Sequence, residues 1–169
     1  MSKYRLKPRQ KAWLVGLHVL SAGLWLGAGT SLILINLTIG PDSGLHAINA
    51  TAKYIDDFLV IPAAIGSLLT GLLLSWFTNW GFFAYKWVTI KWVLTLASII
   101  LGTFWLGPWL NGMEVISATE HARALQDAVY LHYMQMNGIF GTIQVSSLVF
   151  MIFLSVLKPW KKWKQQQLS

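Results

Sequence analysis

Four apolar runs, each long enough to cross a bilayer, decide what this chain can become: residues 13–37, 58–77, 87–106 and 133–157. A hydrocarbon core of about 30 Å is spanned by about 20 helical residues at ~1.5 Å each. Backbone groups in lipid must pair within their own segment, which makes each run a helix. The sequence therefore reads as all-α, an integral membrane four-helix bundle forming one domain over 1–169. The first run is too long for a signal-peptide core and no convincing cleavage site follows it, so it reads as a retained helix. The third run is expected to stop at Gly107-Pro108, and the fourth before Pro159.

Composition closes off the soluble alternative. The chain is 55% hydrophobic and 11% charged, against roughly 25% charged in a soluble domain. Cysteine is absent, which excludes disulfides, thiolate metal sites and cysteine nucleophiles.

Charge sets the direction of the helices. Lys3, Arg5, Lys7, Arg9, Lys11, Lys86, Lys91, Lys158, Lys161, Lys162 and Lys164 make eleven of the thirteen basic residues fall at one side. The six acidic residues, Asp42, Asp56, Asp57, Glu114, Glu120 and Asp127, fall at the other. The positive-inside rule then predicts an N-in/C-in protein of the bacterial cytoplasmic (inner) membrane. The net charge of +7 is spent beside apolar runs, not on a base-reading surface, so nucleic acid is not an expected partner. Trp13, Trp76, Trp80, Trp87, Trp160 and Trp163 read as an inner aromatic belt, and Trp105 and Trp109 as an outer one. Trp25 falls near mid-membrane, outside either belt.

Small and polar residues are expected to hold the bundle together. Gly23 and Gly27 form a GxxxG pair; Ser67 and Gly71, and Ser98 and Gly102, repeat the spacing. Asn137, Gly141, Gln144 and Ser147 make a polar stripe that should face the bundle interior, as interhelical hydrogen bonds or as a cavity lining. The outer connections, 38–57 and 107–132, suit short helices that extend the second and fourth spans. Asp56 and Asp57 read as a helix start favoured by the dipole, with cation binding as the alternative.

His18 and Lys91 carry the chemical interest. Both lie a few residues inside a span from the same side, at similar depth. An ionisable group in a membrane span is a functional candidate. Structural readings stand beside this one: Lys91 can snorkel to the headgroups, and His18 can be a hydrogen-bonded interior residue. If both are functional, the simplest shared task is holding a porphyrin, since imidazole is a common axial ligand of haem. Trp25 would then pack on the ring, or serve the core alone. His132 lies too far from His18 along the membrane normal to share one haem with it. His46, His121 and His132, with Met136 and its neighbours, offer an outer copper site of imidazole and thioether ligands.

The stretch Trp13-Leu14-Val15-Gly16-Leu17-His18-Val19-Leu20-Ser21-Ala22-Gly23-Leu24-Trp25-Leu26-Gly27 resembles the first helix of two related groups. They are the CopD-type copper-resistance membrane domains and the four-helix, haem-containing bacterial protoporphyrinogen oxidases. Trp87-Val88-Thr89-Ile90-Lys91 matches a tryptophan-to-lysine spacing in the oxidases. That resemblance implies haem binding by His18 and Lys91. The oxidase tyrosine-histidine pair is missing, its place taken by Gly102-Thr103-Phe104-Trp105. Leu69-Thr70-Gly71-Leu72-Leu73-Leu74-Ser75, Lys86-Trp87-Val88-Thr89-Ile90-Lys91-Trp92 and Gly102-Thr103-Phe104-Trp105-Leu106-Gly107-Pro108-Trp109 resemble a group of predicted bacterial integral membrane proteins with no assigned activity. That similarity covers most of the chain.

Three functional expectations follow. The first is a haem b protein in electron transfer or porphyrin oxidation, with His18 as iron ligand and Lys91 as second ligand or propionate partner. The second is a copper-handling protein using His46, His121, His132 and Met136. The third is a non-enzymatic scaffold or subunit. Expected partners are the lipid bilayer, a membrane redox partner or quinone, and a second copy of the chain.

Overall fold

The computed structural model describes residues 6–40, 44–79 and 81–159. Lys3, Arg5, Asp42, Trp80, Trp160, Lys161, Lys162, Trp163 and Lys164 lie outside the described residues. The described chain forms helices α1 (Pro8–Leu37), α2 (Leu45–Ile55), α3 (Ile61–Phe77), α4 (Lys86–Leu101), α5 (Gly107–Glu120) and α6 (Ala128–Leu157). They join into four rods long and apolar enough to cross a membrane: Pro8–Leu37, Leu45–Phe77, Lys86–Gln126 and Ala128–Leu157.

Local chemistry sets the rod ends. Pro8 opens α1, where its missing N–H costs nothing, and Gln10 Oε1 accepts the Lys7 N–H at 3.0 Å. Gly44, at φ +52°, supplies the left-handed residue that turns the chain into α2. Asp127 caps α6 by accepting the N–H groups of Val129 and Tyr130, each at 2.8 Å.

Two wide π-helical turns interrupt the middle rods. Asp56–Val60 joins α2 to α3, and Gly102–Leu106 joins α4 to α5. Ile61 N–H bonds Asp56 O, and Gly107 N–H bonds Gly102 O, five residues back in each case. A proline follows directly, Pro62 in one rod and Pro108 in the other. In an α-helix each ring would meet the carbonyl four residues earlier; widening the preceding turn removes that clash. This corrects three expectations. The third span does not stop at Gly107-Pro108 but continues to Glu120. The segment after it therefore extends the third rod, and not the fourth. Asp56 and Asp57 sit inside a continuous rod that begins at Leu45, and are not a helix start.

α1 packs on α3 and α6, α4 packs on α6, and α5 packs on α2 and α6. The central core gathers Trp25, Ala63, Ala64, Leu148 and Met151. A second core at the acidic end joins Leu45, Met113, Ala124 and Tyr130. Gly66 permits a close approach of α1 to α3: a Cβ there would stand 2.8 Å from Ser21 Oγ. Gly23 and Gly27 do not serve that purpose. Both are exposed and nothing lies within 4 Å of the space a Cβ would take. They line a shallow open groove with Ile55 and Leu59, so helical spacing alone overstated their packing.

The outer surface is apolar over most of its height. Leu17, Leu24, Leu69, Ile143 and Phe153 are all exposed. A soluble monomer rarely shows contiguous apolar patches beyond a few hundred Å², roughly. Lipid is the solvent that fits this surface, and the all-α membrane bundle stands.

Candidate functional site

Two cavities of similar size lie inside the bundle, one towards each end. The cavity at the basic end measures about 470 Å³, and the one at the acidic end about 450 Å³. Trp25 and Leu68 line both. Trp25 is 2% exposed, so its indole forms part of the wall between them.

Their charges are opposite. Among the described residues, the ionisable lining of the basic-end cavity is His18, Lys91 and Lys158. That of the acidic-end cavity is Asp56 and Asp57. Sequence reasoning placed His18 and Lys91 at similar depth with Trp25 nearer mid-membrane, and all three line one cavity.

The hydrogen bonding around His18 assigns its tautomer. Its Nδ1 lies 2.9 Å from Thr70 Oγ1. The Thr70 hydroxyl has one proton, which it gives to the Gly66 carbonyl at 2.6 Å. Thr70 Oγ1 must therefore accept from His18, which places the imidazole proton on Nδ1. Nε2 keeps its lone pair. Metal-ligating histidines are commonly oriented in this way, by an acceptor behind the other ring nitrogen. Gly71 makes room for the ring, since a Cβ there would sit 3.4 Å from His18 Cε1.

Lys91 is held across the bundle. Its Nζ donates to Ser155 Oγ at 2.6 Å, and Ser155 passes its own proton to Met151 O at 2.8 Å. Lys91 and His18 line the same cavity. This contact with Ser155 replaces simple snorkelling as the description of Lys91. Thr95 Oγ1 donates to Met151 Sδ at 3.4 Å, and Trp92 Nε1 donates to Ser75 Oγ at 3.1 Å. Trp87, expected in an aromatic belt, is only 6% exposed and lines this cavity instead. Its position, like that of Met151, was not singled out by sequence reasoning. The signal available was modest: Trp87 and Lys91 are four apart and so share a face.

The polar stripe of α6 divides between roles. Asn137, Gly141 and Gln144 line the acidic-end cavity. Ser147 Oγ is buried without a hydrogen-bond partner among the described residues.

The outer histidines are placed separately. His46 Nδ1 lies 3.8 Å from Glu114 Oε1. His132 tilts against the ring of Tyr133, and His121 takes a left-handed φ of 51° at the end of α5. No group of three or more histidine, aspartate or glutamate residues is placed to hold a metal ion among the described residues.

Residues 12–159 match the model of a family described as predicted integral membrane protein (DUF2269). The chain belongs to this family. The match runs through all four rods, from α1 to the end of α6. No curated protein and no solved structure matches the chain.

Proposed function

We propose that this family member is a b-type haem protein of the bacterial cytoplasmic membrane, with its basic end and both termini on the cytoplasmic side. The observation that supports the reading is His18, held through Nδ1 by the Thr70 hydroxyl and lining a cavity whose ionisable residues are otherwise lysines.

The residues present fit haem. His18 would hold the haem iron through its imidazole, with Thr70 bonded to the other ring nitrogen. Lys91 and Lys158 supply positive charge suited to two propionates. The cavity volume of about 470 Å³ lies within the roughly 300–1,000 Å³ common for cofactor sites. Trp25, Trp87 and Leu148 provide buried apolar wall that excludes water. Haem in such a site supplies one-electron transfer, with a potential tuned by its axial ligands and by burial. The chain's own part is to ligate, to neutralise the propionates and to keep the site dry.

The resemblance of Trp13–Gly27 and Trp87–Lys91 to haem-containing membrane oxidases supports the same reading. The test is the visible spectrum of detergent-purified, haem-supplemented protein, oxidised and dithionite-reduced. A Soret band with reduced alpha and beta bands, lost in His18→Ala, is expected. A featureless spectrum from folded protein overturns the proposal.

A further inference from the structure

The acidic-end cavity has its own chemistry, independent of His18. Its volume of about 450 Å³ is far larger than one coordinated metal ion needs, and suits an organic body. Much of its wall is aliphatic, with Leu32, Ile33, Ile99 and Val145 among the lining residues.

The amides in that wall are tied to neighbouring helices through their nitrogens. Asn36 Nδ2 donates to Met134 O at 3.2 Å, Asn49 Nδ2 to Tyr130 Oη at 3.0 Å, and Gln144 Nε2 to Ser98 O at 2.8 Å. Asn137 Nδ2 points to Met113 Sδ at 3.9 Å. Each amide thus spends a donor on a neighbouring helix and keeps an oxygen able to accept from a ligand. A guest that brings N–H groups can be met here.

Charge makes the requirement sharper. Lys53 Nζ binds Asp57 Oδ2 at 2.9 Å and Asn111 Oδ1 at 2.9 Å. One lysine is set against two adjacent carboxylates, and Asp56 has no ion pair among the described residues. The group carries one negative charge in excess when both aspartates are ionised. A carboxylate at the edge of an apolar cavity is costly until a cation meets it. The π-helical turn places Asp56 on this wall, and the second π-helical turn contributes Gly102, Thr103 and Leu106 to it. Such turns are frequent at functional sites.

The structure assigns to this cavity a binding site for a primary ammonium carried on an apolar body, with Asp56 meeting the charge and the amide oxygens meeting the N–H groups. The apolar body lies along the aliphatic wall. The same chemistry is offered by a free lipophilic amine and by the ethanolamine headgroup of a phospholipid.

The test uses the full chain in phosphatidylcholine nanodiscs, titrated calorimetrically with hexylammonium against empty discs. Hexanol and hexanoate serve as neutral and anionic probes of equal length. Hexylammonium is expected to saturate one site and to bind at least about tenfold more tightly than hexanol, with hexanoate not binding. Asp56→Asn lowers the hexylammonium affinity by about tenfold or more, while His18→Ala leaves it unchanged. Wild-type protein that binds hexanol as well as hexylammonium overturns the assignment, whatever any variant does. Unaltered binding by folded Asp56→Asn overturns it too, and loss in His18→Ala would relocate the amine to the other cavity. Discs containing phosphatidylethanolamine separate the two sources: competition identifies the headgroup as ligand, and unchanged affinity identifies a free amine.

Discussion

The His18 imidazole and the Thr70 hydroxyl stand 2.9 Å apart, between α1 and α3. The contact does more than join two helices. Because Thr70 gives its proton to Gly66 O, it accepts from Nδ1 and leaves Nε2 available for a metal. Removing the hydroxyl should release the tautomer without removing the ligand. Thr70→Val is expected to weaken haem affinity by about 10–100-fold, as loss of a supporting partner usually does. Thr70→Ser should stay close to wild type, and His18→Ala should bind none. Titration of apoprotein with haem, followed at the Soret band, measures all three. Equal affinity for wild type and Thr70→Val would show that the bond is only structural.

Lys91 has two possible tasks towards haem, and one substituted ligand separates them. If its charge meets a propionate, Lys91→Met should weaken haem binding by about tenfold, the worth of one charge-assisted contact. The same variant should bind haem dimethyl ester as well as wild type does, because the ester carries no carboxylate. Loss of affinity for both ligands, with a changed low-spin spectrum, would instead mark Lys91 as an iron ligand. The Ser155 hydroxyl holds Lys91 at 2.6 Å, so Ser155→Ala should reproduce a smaller part of the Lys91→Met effect.

Much of this was legible in the sequence, and the parts that were not share a cause. Four apolar runs reveal helices in lipid because nothing else satisfies their backbone there. His18 and Lys91 were legible as neighbours because depth counts along each span converge. Prolines misled. Pro108 after a glycine looks like a terminator, yet a rod can pass through it when the turn before it widens. The same device around Pro62 hid Asp56 and Asp57 inside a rod, and so concealed the acidic cavity. The amide stripe showed that α6 turns a polar face inward, but not which end of each amide is spent. That depends on carbonyls of other helices, which no local pattern encodes.

Asp127 offers a test at the acidic end, outside both cavities. Its carboxylate accepts two N–H groups of the first turn of α6 at 2.8 Å each. The same turn carries Tyr130, which is fully buried and bonded to Asn49. Asp127→Ala is expected to cost about 1 kcal/mol of stability, within the roughly 0.5–2 kcal/mol range of lost caps. Asp127→Asn should recover most of it, since the amide oxygen can still accept. Thermal unfolding in one detergent, monitored by helical circular dichroism, compares them. An alanine variant as stable as wild type would mean the first turn is held by packing alone.

Glycine substitutions test the packing of the bundle, and here the structure contradicts the motif. Gly23 and Gly27 have the GxxxG spacing, yet nothing lies within 4 Å of the space their Cβ atoms would fill. Gly112 belongs to no such motif, but a Cβ there would overlap the ring of Tyr133. Tyr133 also packs against the core of the acidic end, which limits how far its ring can retreat. Gly112→Ala should therefore destabilise by about 1–3 kcal/mol, the usual cost of overpacking. Gly23→Ala and Gly27→Ala should change stability by no more than about 0.5 kcal/mol. Their outcome also reports on assembly. If either outward glycine variant instead lowers thermal stability while Gly112→Ala does not, the outward face of α1 must be buried by a second chain in the membrane.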